Sequence, residues 1–234
     1  MTKIFIDLGH GGKDSGAGAN GILEKDIVLK LGKKMQELLK NYQDVDAMLS
    51  RTSDVFLSLD ERTSTANNWG ADVLCSVHVN SAADVSASGF ETFRYTKANA
   101  GTVAFQNIMH EEIMKAIDGS NIKDRGKKQQ NFHMLRESNM KAVLTENLFI
   151  SNSGNAAKLK DDDFLDKLAQ GHVNGFEKFL GLRRIEKPPQ PIPTDPKTEK
   201  LYYVQVGAFE DKENAEALAA DLTKEGYRPF IKYE

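Results

Sequence analysis

The 234-residue sequence has a single cysteine, Cys75, which excludes an intramolecular disulfide framework and any cysteine-based zinc finger. A bound metal would have to be held by imidazole and carboxylate. An excess of one charge sign is also missing: 31 Lys plus Arg stand against 34 Asp plus Glu, a net charge of −3. Bulk electrostatics therefore offers no handle for nucleic acid. No apolar run approaches the roughly 20 residues of a membrane span. The N-terminal run Ile4-Phe5-Ile6 is broken by Asp7, short of the ~7–15-residue core of a secretory signal. The expectation is a chain made in the cytoplasm without a signal peptide. Proline is scarce, and five of the six prolines fall in one segment, RIEKPPQPIPTDPKTEK, from Arg184 to Lys200. Such a segment favours extended polyproline structure and continues neither a helix nor a central strand; it reads as a linker.

What remains is ordinary globular material, 40% hydrophobic and 28% charged. At about 150 residues per domain, the length suits one sizeable core and a small appendage. In residues 1–183, short apolar runs alternate with longer segments of helical period, which predicts an α/β domain with a single twisted, mostly parallel sheet flanked by helices. Ile4 to Leu8 reads as a strand buried on both faces, ending in a Gly-rich turn, Gly9 to Gly21. The spacing of Ile27, Val28, Leu31, Met35, Leu38 and Leu39 predicts an amphipathic helix over Lys25 to Lys40. A polar helix around Asp60 to Asn68 precedes a strand over Ala71 to Val79. Gly89 to Tyr95 is a further strand, Thr102 to Ile117 a helix, and Ala142 to Thr145 a strand. A last helix carries Leu165, Leu168, Ala169, His172, Val173, Phe176 and Leu180 on one stripe. After the linker, residues 201–234 read as one βαβ unit: strand Leu201 to Val206, helix Asp211 to Lys224 with Ala215, Leu218, Ala219 and Leu222 inward, and strand Tyr227 to Tyr233.

Several residues bear on chemistry. Gly16 to Gly21 matches G-x-G-x-x-G, but dinucleotide binding needs the first glycine directly after the strand, and here the match lies seven residues beyond Gly9. His10 and His78 both fall at carboxyl ends of predicted strands, where functional groups collect in open α/β sheets. Glu24 stands where the Gly-rich loop enters the first helix and could reach back over the same sheet edge. Two histidines and one carboxylate make a three-ligand set with room for water, the usual form of a catalytic zinc site. Each alone has a bland reading, as a loop histidine or a helix N-terminal glutamate. Glu146 interrupts the apolar segment Ala142 to Ile150, and a carboxylate there must be paired or functional. His172 reads as core and His110, beside Glu111 and Glu112, as solvated; His133 is either structural or close to substrate.

Together the segments IFIDLGHGGKDSGA, the helix start at Glu24, LSRTSD, LDERTSTANNWGADVLCSVHVNS and FHMLRESNMKAVLTENLFISN resemble the zinc-dependent N-acetylmuramoyl-L-alanine amidases of the amidase type 3 family, over about residues 3 to 181. Lys141-Ala142 departs from the family's usual Pro-Ala, away from any ligand. The resemblance implies that His10, Glu24 and His78 bind Zn2+, that Glu146 is the catalytic carboxylate, and that peptidoglycan is the substrate. The cleaved bond would be the amide joining the muramic acid lactyl group to L-alanine. With no signal peptide and a following wall-binding segment, the chain looks like mother-cell-lysis amidases of spore formers and phage lysins, acting on the wall after lysis or holin-type release. Residues 201–234 resemble a SPOR domain, a peptidoglycan-binding module usually built of two βαβ halves; with one half present, the expectation is a homodimer completing the module. Two other readings compete. A non-haem iron oxygenase shares the ligand types but not the alternating helix and strand pattern, and a catalytically inactive wall-binding module would require a broken ligand set.

Overall fold

The computed structural model describes residues 1–185, 205–227 and 229–232. The chain divides into two compact units, Met1–Glu186 and Lys187–Glu234. In the first, β1 (Thr2–Leu8) is followed by the short strands β2 (Gly18–Ala19) and β3 (Ile22–Leu23). Then come α1 (Glu24–Leu39), β4 (Val45–Leu49), α2 (Leu59–Trp69), β5 (Val73–Asn80), β6 (Phe90–Arg94), α3 (Ala100–Ala116) and β7 (Asp124–Gln129). A short α4 (His133–Arg136), β8 (Lys141–Phe149), α5 (Ser153–Lys160) and α6 (Asp162–Leu180) complete it. Six strands form one sheet in the order β4-β1-β5-β8-β6-β7. The strands β4, β1, β5 and β8 are mutually parallel, while β6 runs antiparallel to β8 and parallel to β7. The mostly parallel sheet agrees with the alternation in the sequence.

The period-2 alternation of the strands divides the core into two layers. Ile4, Ile6, Leu8, Val73, Cys75, Val77 and Val143 point to one face, covered by α1, α3 and α6. Phe5, Leu74, Ala142 and Leu144 point to the other, beneath α2 and α4. Close approach of α6 to α3 is set by two glycines: a Cβ at Gly175 would lie 2.4 Å from Met109 Sδ, and one at Gly171 2.8 Å from Ile113 Cα. Helix α2 is fixed at its start by a capping box between Ser58 and Glu61 and at its end by left-handed Gly70.

Two expectations are corrected here. His110 is buried, with Nδ1 3.0 Å from Thr92 Oγ1 and Nε2 2.9 Å from Asp124. Its place on α3 between Gln106 and Ile113, both buried, decides its environment, and its acidic neighbours in sequence do not. In the second unit, α7 (Lys212–Lys224) forms as expected, and Ala215, Leu218, Ala219 and Leu222 are its half-buried residues. Of the two strands expected there, only 205–206, 227 and 229–232 are described, and these are not in strands. Leu201 to Val204 and nearly all of the linker lie outside the described residues. Arg184, where the linker was expected to begin, still engages the first unit, bridging to Tyr42 and donating to Glu177 Oε2 at 2.8 Å.

Candidate metal centre

The turn after β1 is left-handed at three successive residues: His10 at φ 62°, Gly11 at 131° and Gly12 at 58°. A positive φ at a non-glycine residue costs energy, and here it directs His10 back over the carboxyl edge of the sheet. Two buried arginines hold the turn. Arg62 pairs with Asp7 Oδ1 at 3.0 Å and donates to the carbonyls of Leu8 and, at 2.6 Å, His10. Arg51 donates to the carbonyls of Leu8, Gly9 and Lys25 at 3.2, 3.1 and 2.8 Å, tying the turn to the first turn of α1. Two further glycines leave room for the side chains gathered there. A Cβ at Gly9 would meet the His78 ring at 2.4 Å, and one at Gly16 would lie 2.6 Å from both Glu24 Oε2 and His10 Cδ2.

His10, Glu24 and His78 converge from this turn, the start of α1 and the end of β5. Each offers a ligand atom, and the three atoms lie within 4.8 Å of one another. Glu24, 4% exposed, sits between the imidazoles: Oε2 is 3.2 Å from His10 Nε2 and Oε1 is 3.0 Å from His78 Nδ1. The carboxylate also accepts from the N–H groups of Ala17 and Val79, each at 3.0 Å. On the far side of the His10 ring, Nδ1 is 2.9 Å from Asp14 Oδ2, the outer carboxylate contact that commonly orients a metal-bound histidine. Asp14 is in turn fixed by the Gly16 N–H at 3.0 Å.

The electrostatics follow from this packing. Hydrogen bonding to Glu24 raises His10 to about 9, against the opposing effect of burial. Burial disfavours a charged Glu24, yet hydrogen bonds from His10 and His78 hold its carboxyl well below the usual carboxylate range. Burial likewise opposes charge on His78, and Glu24 and Glu146 raise it overall. Two imidazoles and a carboxylate are a donor set for a divalent ion, which would displace any proton held between them.

Glu146 is the direct register partner of His78 across the β5–β8 pair. Just beyond it the register shifts and Leu148 adopts φ 69°, an irregularity of the kind that re-aims side chains beside active sites. The Glu146 Oε2 atom is buried and has no hydrogen-bond partner. Burial, together with the charges of Glu24 and Glu91, pushes the carboxyl up to about 7 against the pull of His78.

The structure thus brings His10, Glu24, His78 and Glu146 together. It does not bring the other histidines there. His172 is core, 3.1 Å from Thr145 Oγ1 and 2.8 Å from the Leu168 carbonyl, and His133 lies 3.4 Å from both Asp60 and Thr63. Asp7, Asp14, Arg51 and Arg62 were not singled out from the sequence. Asp14 carried a signal, lying four residues beyond His10; the arginines stand inside the LSRTSD and LDERTS blocks.

Fold and site define a class: an open α/β protein with a His-Glu-His donor set and an unpartnered buried carboxylate beside it, the equipment of a metal-assisted hydrolase. The chain belongs to the N-acetylmuramoyl-L-alanine amidase family, whose model matches residues 4–178; a SPOR domain model matches residues 198–234. It is 44% identical over 232 residues to the sporulation-specific N-acetylmuramoyl-L-alanine amidase of Bacillus subtilis (strain 168), covering 99% of this chain and 84% of that protein. It is 48% identical over 187 residues to the endolysin of Bacillus phage SPP1, covering 79% and 68%. Among solved structures, an N-acetylmuramoyl-L-alanine amidase from Clostridium difficile 630 superposes with TM-score 0.74 at 36% identity, covering 77% of this chain and 97% of that one. The catalytic domain of CwlV from Bacillus (Paenibacillus) polymyxa var. colistinus gives 0.73 at 36% identity, covering 77% and 99%. The enzyme class is that of peptidoglycan amidases.

Proposed function

We propose that this chain hydrolyses the amide between the lactyl group of N-acetylmuramic acid and L-alanine with a zinc ion held by His10, Glu24 and His78, and with Glu146 as the proton carrier. The observation that carries the reading is the Glu146 Oε2 atom, buried without a partner on the residue paired in register with His78. A buried polar atom left unpaired is costly, so its retention calls for a functional explanation. A zinc ion bound here would polarise the amide carbonyl and lower the pKa of water from 15.7 to about 7. Glu146 takes a proton from the attacking water, whose oxygen bonds to the carbonyl carbon, and delivers it to the leaving nitrogen as the C–N bond breaks. The products are a muramic acid carboxyl group and a free L-alanine amino terminus. Asp14 engages His10 Nδ1, which leaves Nε2 as the nitrogen that would hold the metal. His78 Nδ1, on the same side as Glu24 Oε1, completes the set.

The C-terminal unit belongs to the same reading. Its helix α7 has no fully buried residue, and Val206, Phe209 and Tyr227 are exposed. We infer that this unit, matched by the SPOR model, pairs through these exposed residues with its copy in a second chain; a monomer at micromolar concentration in sedimentation, with wall binding intact, overturns it. By likeness to the phage endolysin, action on the wall would follow lysis or holin-type release. Among the described residues no helix is long and apolar enough to cross a membrane. The first experiment is digestion of Gram-positive peptidoglycan with and without a chelator. The expected result is chelator-sensitive release of L-alanine amino termini without new reducing ends. Reducing ends would make the protein a glycosidase, and release of neither would leave a catalytically inactive binding module.

A further inference from the structure

The metal centre is one end of a longer polar row. His78 on β5 pairs in register with Glu146 on β8, and Glu146 pairs with Glu91 on β6. Two carboxylates directly opposite on one sheet face repel, yet Glu91 is 3% exposed. Its charge is met by Arg125 Nε at 2.8 Å and by Lys128 Nζ, both on Oε2, and by Asn80 Nδ2 at 2.8 Å on Oε1. Arg125 and Lys128 are three residues apart and in a regular strand would face opposite ways. The register shift between Phe90 and Thr92 in the β6–β7 pair and Gly126 at φ 85° bring both to the Glu91 side. Arg125 and Lys128 share the single Glu91 carboxylate, both on Oε2, so neither cation has a carboxylate of its own. Arg125 lies over the Phe149 ring, 4.7 Å from its centroid. Its two terminal nitrogens donate to no group among the described residues, and the side chain is 27% exposed. Lys128, over the Phe93 ring, is 40% exposed.

We propose that Arg125 and Lys128, oriented by Glu91, form an anion subsite for a carboxylate on the peptide side of the substrate. This rests on the amidase reading given above. Strands lie about 4.8 Å apart, so β7 stands roughly 10 Å from Glu146 on β8, and an extended peptide advances about 3.3 Å per residue. With the reach of a long side chain, the subsite selects a carboxylate on the second or third residue beyond the scissile carbonyl. A guanidinium with its outer edge unengaged is suited to fork-like binding of a carboxylate.

The test compares soluble muramoyl peptides cleaved by the zinc-loaded 234-residue chain. The carboxylate of the second residue is left free or converted to a primary amide, and separately that of the third. Wild type is expected to prefer the free acid over the amide by about 10- to 100-fold in kcat/KM at one of the two positions, the worth of a charge-assisted hydrogen bond. Arg125→Gln and Lys128→Gln should each reduce that preference toward parity, chiefly through KM, and Lys128→Arg should retain it. Thermal melting and zinc content establish that each variant is folded; after either substitution Glu91 still keeps Asn80 and one cation. Absence of preference at both positions in wild type, or equal losses on acid and amide forms in the variants, overturns the subsite. Failure to cleave any of the peptides, the fully amidated one included, overturns the amidase reading and the subsite with it.

Discussion

Replacing Arg62 by methionine should destabilise the first unit by about 3–5 kcal/mol and loosen the metal centre together. The guanidinium is 3% exposed and Asp7, its partner at 3.0 Å, is 1% exposed. Methionine keeps most of the aliphatic volume, so the loss is electrostatic: removing one member of a buried ion pair leaves the other charge uncompensated, at about 3–5 kcal/mol. Ser76 Oγ, 2.6 Å from Asp7 Oδ2, remains and places the expectation toward the lower end. For a unit of this size each kcal/mol moves the melting temperature by about 2–4 °C, giving a fall of roughly 6 to 20 °C. The same substitution frees the His10 carbonyl, held at 2.6 Å, while Gly9 keeps its contact with Arg51. The variant should therefore lose bound zinc to a chelator faster than wild type. Urea unfolding and zinc release are the assays, and Arg62→Met combined with Asp7→Asn should recover part of the stability by removing the stranded charge. A destabilisation below about 1 kcal/mol, or a double variant less stable than the single one, would refute the reasoning.

Glu146→Gln should lower kcat by about 10²- to 10⁴-fold, the usual worth of a general base, with zinc stoichiometry unchanged; near-full turnover would remove Glu146 from the mechanism. His78→Ala should lose zinc and activity in parallel, read by metal analysis of the dialysed protein. Burial drives His172 down to about 4 from 6.5, so the fold holds it neutral. Its contribution is complete above about pH 6.5 and is lost as pH falls toward 4, because the unfolded chain binds the proton first. At 1.36 kcal/mol per unit this amounts to about 3 kcal/mol, visible as a falling urea midpoint in the wild type and a flatter profile in His172→Gln.

Much of this architecture was legible because hydrophobic periodicity is a local property. The buried run at Ile4 to Leu8, the stripe of α1 and the stripe of α6 each follow from residues a few positions apart. β7, DRGKKQ, escaped because an edge strand needs little apolar content and reads as a polar loop, while β4, VDAML, is apolar apart from Asp46 but only five residues long. The charged residue inside an apolar strand that drew attention to Glu146 is repeated by Glu91 in FETFR, where it went unread. His110 was misjudged from its neighbours in sequence, although the helical positions of Gln106 and Ile113 already placed it inward.

The sequence by itself determined the alternating elements, the placing of His10 and His78 at strand ends, and a family resemblance resting on the order of those motifs. Only the tertiary structure decided which polar groups meet. Arg62 finds Asp7 across 55 residues, Glu24 finds His78 across 54, and Glu91 comes to lie opposite Glu146 because β6 runs antiparallel to β8. These partnerships depend on strand order and register, and a slip of one residue in its strand would turn Asp7, His78, Glu91 or Glu146 to the opposite face of the sheet.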